Sequence, residues 1–113
     1  MQHNESILQR QAIRWFRLQY PAHVLFAIPN GGQRNKTEAA IMKAEGVLAG
    51  AADLFLMCSS RQYNGMCIEL KTEKGRQTES QKWFEKKAYD FGYCYKVVRS
   101  FDEFVNEVNN YLK

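Results

Sequence analysis

The stretch that decides the fold is Gly50-Ala51-Ala52-Asp53-Leu54-Phe55-Leu56, followed ten residues later by Cys67-Ile68-Glu69-Leu70-Lys71. Both stretches are short and mainly apolar, and the polar segment 59–65 separates them, which predicts a strand pair over 53–58 and 66–72. Alternation along a strand places Glu69 and Lys71 on one face and Ile68 and Leu70 on the other. If the two strands pair, Asp53 lies beside Glu69.

The acidic and basic residues of this strand pair predict a chemical site. The small residues at 50–52 let another backbone or a substrate approach Asp53 closely. A Glu and a Lys within an apolar strand need each other, a metal ion or an opening to water. A structural ion pair is therefore one reading. The other is a nuclease centre, because two carboxylates and a lysine at a strand end can hold Mg²⁺ next to a phosphodiester bond.

Composition bounds the class of protein. The chain has 113 residues, enough for one domain over 1–113, and 45% hydrophobic residues argue against disorder. Neither a membrane span nor a signal peptide is visible, so a cytoplasmic protein without a membrane partner is expected. Three cysteines without C-x-x-C spacing favour reduced thiols over zinc or disulfides. A net charge of +4 is compatible with a nucleic-acid partner.

Periodicity and turn residues predict eight elements in the order α-β-α-β-β-α-β-α. Helices are predicted over 4–20, 37–45, 78–91 and from Ser100 onward, and strands over 23–28, 53–58, 66–72 and 93–98. The strand at 23–28 reads as buried because it is almost wholly apolar. The order predicts an α/β fold with a small central mixed sheet flanked by helices.

Two helical side chains are further candidates for the site. Gln81 shares a helical stripe with Phe84, Ala88 and Phe91, which aims it at the sheet, but Thr78-x-x-Gln81 also fits a capping box. Glu5 lies in line with the apolar residues of the first helix, which aims it at the sheet edge. The alternative for Glu5 is stabilisation of the helix dipole from the first turn.

At this point the whole chain resembles a known family. It is similar to the PD-(D/E)XK nuclease superfamily, with its restriction-endonuclease-like core, and more narrowly to the stand-alone VRR-NUC (viral replication and repair nuclease) domain. The blocks that carry the resemblance are Glu5, Pro29-Asn30-Gly31-Gly32-x-Arg34, Gly46-x-x-x-Gly50-x-x-Asp53-Leu54, Glu69-Leu70-Lys71, Ser80-Gln81-x-Trp83, Gly92 and Arg99. One departure is Ala52, where the family usually has proline. Because proline stiffens that turn without donating to the chemistry, the departure affects geometry alone.

The resemblance implies a Mg²⁺-dependent endodeoxyribonuclease in which Mn²⁺ substitutes, with no organic cofactor. Asp53, Glu69 and the Leu70 carbonyl would hold the metal, and Glu5 would reach it directly or through water. Lys71 would orient or deprotonate the attacking water or stabilise the transition state, and Gln81 would orient Lys71 or the water. Cleavage in similar nucleases leaves a 5′-phosphate and a 3′-hydroxyl.

The resemblance also implies the partners. Branched DNA such as a Holliday junction is the expected substrate, in DNA repair or replication of a bacterial cell or phage-infected host. Candidate DNA contacts are Asn30, Gly31, Gly32, Arg34, Lys36, Lys74 and Arg76. A homodimer is expected, and Trp15, Phe16, Tyr111 and Leu112 would form either its surface or the core. A restriction-type nuclease and a non-catalytic junction-binding module are the competing interpretations.

Overall fold

A computed structural model describes residues 3–29 and 35–113 of the chain. The element order is the predicted one: α1 His3–Gln19, β1 Leu25–Ala27, α2 Lys36–Ala44, β2 Leu54–Leu56, β3 Met66–Leu70, α3 Glu79–Asp90, β4 Cys94–Val98 and α4 Phe101–Leu112. The predicted α/β class is confirmed.

The four strands form one mixed sheet in the order β1-β2-β3-β4. The first three strands pair antiparallel, and Leu54 lies opposite Ile68 in the β2–β3 register. Strand β4 pairs parallel with β3, which requires the crossover that α3 provides. The predicted pairing of the two central stretches is therefore confirmed, and it sets β3 in the interior of the sheet.

Alternation along β3 separates two apolar clusters. Ile68 and Leu70 pack with residues of α1 and α4 in the larger cluster. On the opposite face, Cys67 packs with Ala88 of α3 and Tyr95 of β4. Every residue of β3 is buried, because helices cover both of its faces. The predicted division of faces is confirmed, and Glu69 belongs to the α3 side.

Side-chain caps fix the start of three helices. Thr78 and Gln81 form the predicted capping box at the start of α3. Ser100 caps α4 by accepting a hydrogen bond from the Glu103 N–H at 3.1 Å. Asn35 caps α2 in the same way, through the Glu38 N–H at 2.7 Å. Local sequence therefore determines where these helices begin.

The apolar residues of the first and last helices belong to the core and its margin. Phe16 is a member of the larger core cluster, and Trp15, Tyr111 and Leu112 pack against it. Packing in or against the core, one of the two roles open from sequence, is thus observed for these residues. None of the helices within the described ranges has the length and apolar character needed to cross a membrane.

The expectation that the first strand is buried was wrong. In β1 only Leu25 is buried, whereas Phe26 and the preceding Val24 are almost half exposed. Strand β1 lies at the edge of the sheet, and α3 packs on the β3–β4 half. An apolar run cannot by itself tell an edge strand from a central one.

Gly50 brings the loop before Asp53 against the start of α3. Its φ is +91°, and a Cβ added there would lie 2.5 Å from the Ser80 carbonyl carbon and oxygen. Gly46 has a φ of +104°, but a Cβ added there would meet nothing within 4 Å. A comparison of the two glycines therefore separates backbone strain from steric collision. The predicted close approach of another backbone is thus observed.

We expect Gly46→Ala to lower the free energy of unfolding by about 1 to 2 kcal/mol, through the left-handed backbone alone. Gly50→Ala should cost about 1 to 3 kcal/mol more, because the added methyl collides with backbone that cannot yield cheaply. Urea unfolding of both variants beside the wild type measures the difference. Equal losses in the two variants would mean that the loop and α3 can separate freely.

Candidate active site

Asp53 lies at the point where β2 begins and is fixed by both its backbone and its side chain. Its carbonyl accepts a hydrogen bond from the Ile28 N–H at 2.8 Å. Its Oδ2 accepts one from the Leu70 N–H at 2.7 Å. The carboxylate thus takes the place of a backbone acceptor where the β2–β3 ladder ends. Asp53 is only 6% exposed, so its position is set by the strand pair rather than by solvent.

Glu69 meets Asp53 as the alternation predicted. The two carboxyl groups hydrogen-bond to each other, and Glu69 is 2% exposed. Burial, followed by the charge and hydrogen bond of Asp53, raises the pKa of Glu69 to about 8. Burial also raises the pKa of Asp53, although the Leu70 N–H opposes the rise. Two carboxyl groups held together away from water are costly unless they share a proton or a cation.

Lys71 and Glu5 shift the pKa values of this pair in opposite directions. The Lys71 cation lowers the pKa of both carboxyl groups, and the charge of Glu5 raises that of Asp53. Lys71 follows β3 directly and is half-buried, as is Glu5 in the first turn of α1. Asp53 is therefore the carboxyl group on which Glu69, Lys71 and Glu5 all act.

Gln81 fulfils both of the roles that the sequence left as alternatives. Its Oε1 accepts a hydrogen bond from the Thr78 N–H at 2.8 Å, which completes the capping box. Its Nε2 donates to Glu69 Oε2 at 2.9 Å. Because the cap occupies the oxygen, the amide nitrogen is the end that faces the carboxylate. The start of α3 is thus connected to the centre of the sheet by one side chain.

Tyr95 of β4 is a member of the site that the sequence did not single out. Its hydroxyl donates to Glu69 Oε1 at 3.3 Å, and the side chain is almost fully buried. Each oxygen of Glu69 thus has its own donor, one from α3 and one from β4. The parallel β3–β4 register, with Cys67 opposite Tyr95, brings them together. No local pattern could have identified Tyr95, since this register is set only by tertiary structure.

The predicted DNA contacts divide into two groups. Asn30, Gly31, Gly32 and Arg34 lie outside the described residues. Lys36, Lys74 and Arg76 are all exposed.

The loop that carries Lys74 is held by one side chain. Arg99 donates to the carbonyl oxygens of Thr72 at 2.9 Å and Gly75 at 2.5 Å. These contacts hold the segment that follows Lys71, which carries Lys74.

The residues present fit a hard divalent cation. Asp53 and Glu69 offer oxygen atoms, the donors that Mg²⁺ and Mn²⁺ favour, and they meet in a buried position, which raises the pKa of each carboxyl group. Within residues 3–29 and 35–113, no three His, Cys, Asp or Glu side chains converge as a metal-binding group. The three described cysteines are free thiols. The acidic donor set in the described part of the chain is therefore the pair, with Glu5 outside it.

Comparison with known proteins adds a structural relative. Neither the protein-family models nor the curated proteins match the sequence. Among solved structures, the chain is similar to a VRR_NUC domain protein, with a TM-score of 0.83 and 24% sequence identity. The similarity covers 99% of this chain and 90% of the other. The chain therefore has the fold of a VRR_NUC domain protein, with Asp53, Glu69, Lys71 and Gln81 gathered at one place in it.

Proposed function

We propose that this protein is a metal-dependent DNA endonuclease that hydrolyses phosphodiester bonds. The observation that carries the proposal is the contact between two buried carboxyl groups, Asp53 and Glu69, beside the Lys71 cation. The fold supports it, since the chain is similar in structure to a VRR_NUC domain protein. A pair of this kind has no evident value for stability, because burial of both carboxyl groups is unfavourable.

In this proposal Asp53, Glu69 and the Leu70 carbonyl hold Mg²⁺ or Mn²⁺. The cation supplies polarisation of the scissile phosphate, a lowered pKa of bound water and neutralisation of developing charge. The Leu70 N–H keeps Asp53 in place, and Gln81 keeps Glu69 in place. Glu5, which acts on Asp53 through its charge, is assigned to the outer part of the site through water.

Lys71 is the residue assigned to orient or deprotonate the attacking water, or to stabilise the charge of the transition state. It follows Glu69 by two positions on the same face, so its ammonium group belongs to the side of the strand on which the carboxylates meet. A cation there opposes the negative charge that builds on the phosphate during attack. Products with a 5′-phosphate and a 3′-hydroxyl are expected.

The proposed substrate is branched DNA, and the proposed assembly is a homodimer. Two sites related by a two-fold axis suit paired incisions in a four-way junction. Phe16 is buried in the core and is therefore not available for a dimer contact, whereas Trp15, Tyr111 and Leu112 are only partly buried. Sedimentation at micromolar concentration tests the assembly, and a monomer throughout would refute it.

The deciding experiment compares a four-way DNA junction with the matching linear duplex, in Mg²⁺, Mn²⁺ or EDTA. Paired nicks in the junction that require metal, and that Asp53→Ala abolishes, would support the full proposal. Cleavage of both substrates would retain the nuclease and remove the junction preference. Tight junction binding without cleavage in either metal would favour the non-catalytic binding module instead.

Gln81→Glu separates the two roles of Gln81. Glutamate is as good a capping-box residue as glutamine, so α3 should begin normally, but the donor to Glu69 is replaced by a carboxylate. We expect cleavage to fall by about 10- to 100-fold while the far-ultraviolet circular dichroism stays that of the wild type. Gln81→Ala, which loses the side-chain half of the capping box as well but keeps the Thr78 cap, should combine the loss of cleavage with a lower free energy of unfolding. Full activity of Gln81→Glu would assign Gln81 to capping alone.

Salt dependence identifies the phosphate contacts. Each contact contributes about 0.9 to the slope of log affinity against log salt on duplex DNA, so Lys74→Gln with Arg76→Gln should lower the slope by about two. Lys82→Gln with Lys86→Gln removes the same charge from α3, where these lysines pair with Glu79 at 3.5 Å and Asp90 at 3.2 Å. We expect that control to change the slope little. Equal effects of the two double variants would mean that net charge, not loop position, governs binding.

A further inference from the structure

A chain of hydrogen bonds leads from Glu69 through β4 to α3. The Tyr95 hydroxyl donates to Glu69 Oε1 at 3.3 Å. The Gln77 side chain also hydrogen-bonds to this hydroxyl, and Gln77 Nε2 donates to Glu85 Oε1 at 2.9 Å. Gln77 lies just before Thr78, the cap of α3, and Glu85 lies in the second turn of that helix. These hydrogen bonds therefore connect both parts of α3 to the central strand.

The donors and acceptors in this series of hydrogen bonds are fixed. The Tyr95 hydroxyl gives its proton to Glu69 Oε1. Because a hydroxyl has one proton, Gln77 is the donor in its hydrogen bond with the same oxygen. A phenol keeps its proton at neutral pH, and the buried position of Tyr95 favours the neutral form further. Tyr95 is therefore a permanent donor to one oxygen of Glu69.

Packing alone does not account for this hydroxyl. The Tyr95 ring belongs to an apolar cluster with Ala52, Cys67 and Ala88, which a phenylalanine ring would fill equally well. A buried hydroxyl is unfavourable unless it is hydrogen-bonded, and its partners here are the carboxylate and the amide. Its selective value must therefore lie in what it does to Glu69.

We propose that Tyr95, oriented by Gln77, is a positioning residue that holds Glu69 in the geometry required for divalent metal binding. This inference rests on the proposed function. With Gln81 on Oε2 and Tyr95 on Oε1, the carboxylate plane is fixed from two elements before any cation arrives. Pre-orientation of this kind lowers the ordering cost of metal binding.

The test is metal binding without DNA, measured by isothermal titration of Mn²⁺ into the metal-free protein. We expect Tyr95→Phe to bind Mn²⁺ about 10- to 100-fold more weakly than the wild type. Tyr89→Phe is the matched control, because the Tyr89 hydroxyl also joins α3 to β4, by donating to the Tyr95 carbonyl oxygen at 2.8 Å. That control should lower the urea midpoint yet leave Mn²⁺ affinity unchanged.

A double variant tests the role of Gln77. Gln77→Met should weaken Mn²⁺ binding less than Tyr95→Phe does, and the double variant should match Tyr95→Phe, since Gln77 acts through the hydroxyl. Equal Mn²⁺ affinity in Tyr95→Phe and wild type would overturn the role of Tyr95 and leave the nuclease proposal standing. Full additivity in the double variant would overturn the Gln77 link. Absence of Mn²⁺ binding in the wild type would overturn the proposed metal site itself, and the positioning role with it.

Discussion

Glu69→Gln is expected to abolish DNA cleavage and, in the absence of metal, to make the protein more stable at pH 8. The variant removes a proposed metal ligand, so activity should fall by at least about 100-fold, the upper loss seen when only a partner of a ligand is removed. It also removes a buried carboxyl group from contact with Asp53, while an amide of the same shape can still hydrogen-bond to its neighbours. Function and stability thus oppose each other at this residue.

The sign of the pH dependence follows from the raised pKa. Glu69 has an ordinary pKa of 4.5 and a pKa of about 8 in the folded protein. Between these values the folded state retains a proton that the unfolded chain releases, so the free energy of unfolding falls as pH rises. Below pH 4.5 this loss is absent, and above pH 8 it is complete. Its size is on the order of a few kcal/mol, since one unit of pKa corresponds to about 1.4 kcal/mol.

Urea unfolding in EDTA at pH 5 and pH 8.5 measures this effect. The wild type should lose more stability between the two pH values than Glu69→Gln does. Glu45→Gln provides the control, because Glu45 is exposed and lies at the end of α2, away from the strand pair. If the wild type and Glu69→Gln show the same pH dependence, the pKa of Glu69 is not raised in the folded protein.

Lys71→Met is the second change with a large expected effect. It keeps the alkyl stem of the half-buried side chain but removes the cation that acts on both carboxyl groups. We expect cleavage to fall by about 100- to 10,000-fold, as when a positioned proton-transfer group or charge is lost from an active site. Mn²⁺ affinity should be retained or slightly increased, because removal of a cation leaves the carboxylates more negative.

The measurements are single-turnover cleavage and Mn²⁺ titration of the same preparation. Lys74→Met is the matched control, since it removes the same charge from the adjacent exposed loop. It should weaken DNA binding at low salt and leave the single-turnover rate at saturating protein nearly unchanged. A Lys71→Met defect that excess Mn²⁺ fully corrects would assign Lys71 to metal retention rather than to the chemical step.

Local sequence was sufficient for most elements because their signals are local. Thr78 with Gln81, and Ser100, satisfy the N–H groups of the first turn of α3 and α4, so these starts are encoded within four residues. Strict alternation predicted that the side chains of Glu69 and Ile68 point to opposite faces of β3, and the observed clusters agree. The predicted burial of β1 was wrong because burial of a strand is not a local property. Whether an apolar strand is central or at an edge depends on what packs over it, which its own residues do not encode.

The candidate site shows the same division between features that local sequence predicts and features that the tertiary structure sets. The sequence by itself determined the chemical types at the site and, through the period of the backbone, the shared face of Glu69 and Lys71 on β3 and the stripe of Gln81 on α3. Only the tertiary structure decided that Gln81 serves the cap and Glu69 together, and that Tyr95 holds the second oxygen of that carboxylate. Those contacts join residues 12 and 26 positions apart. They exist because α3 crosses over to set β4 parallel to β3, and no local rule specifies the register of that pairing.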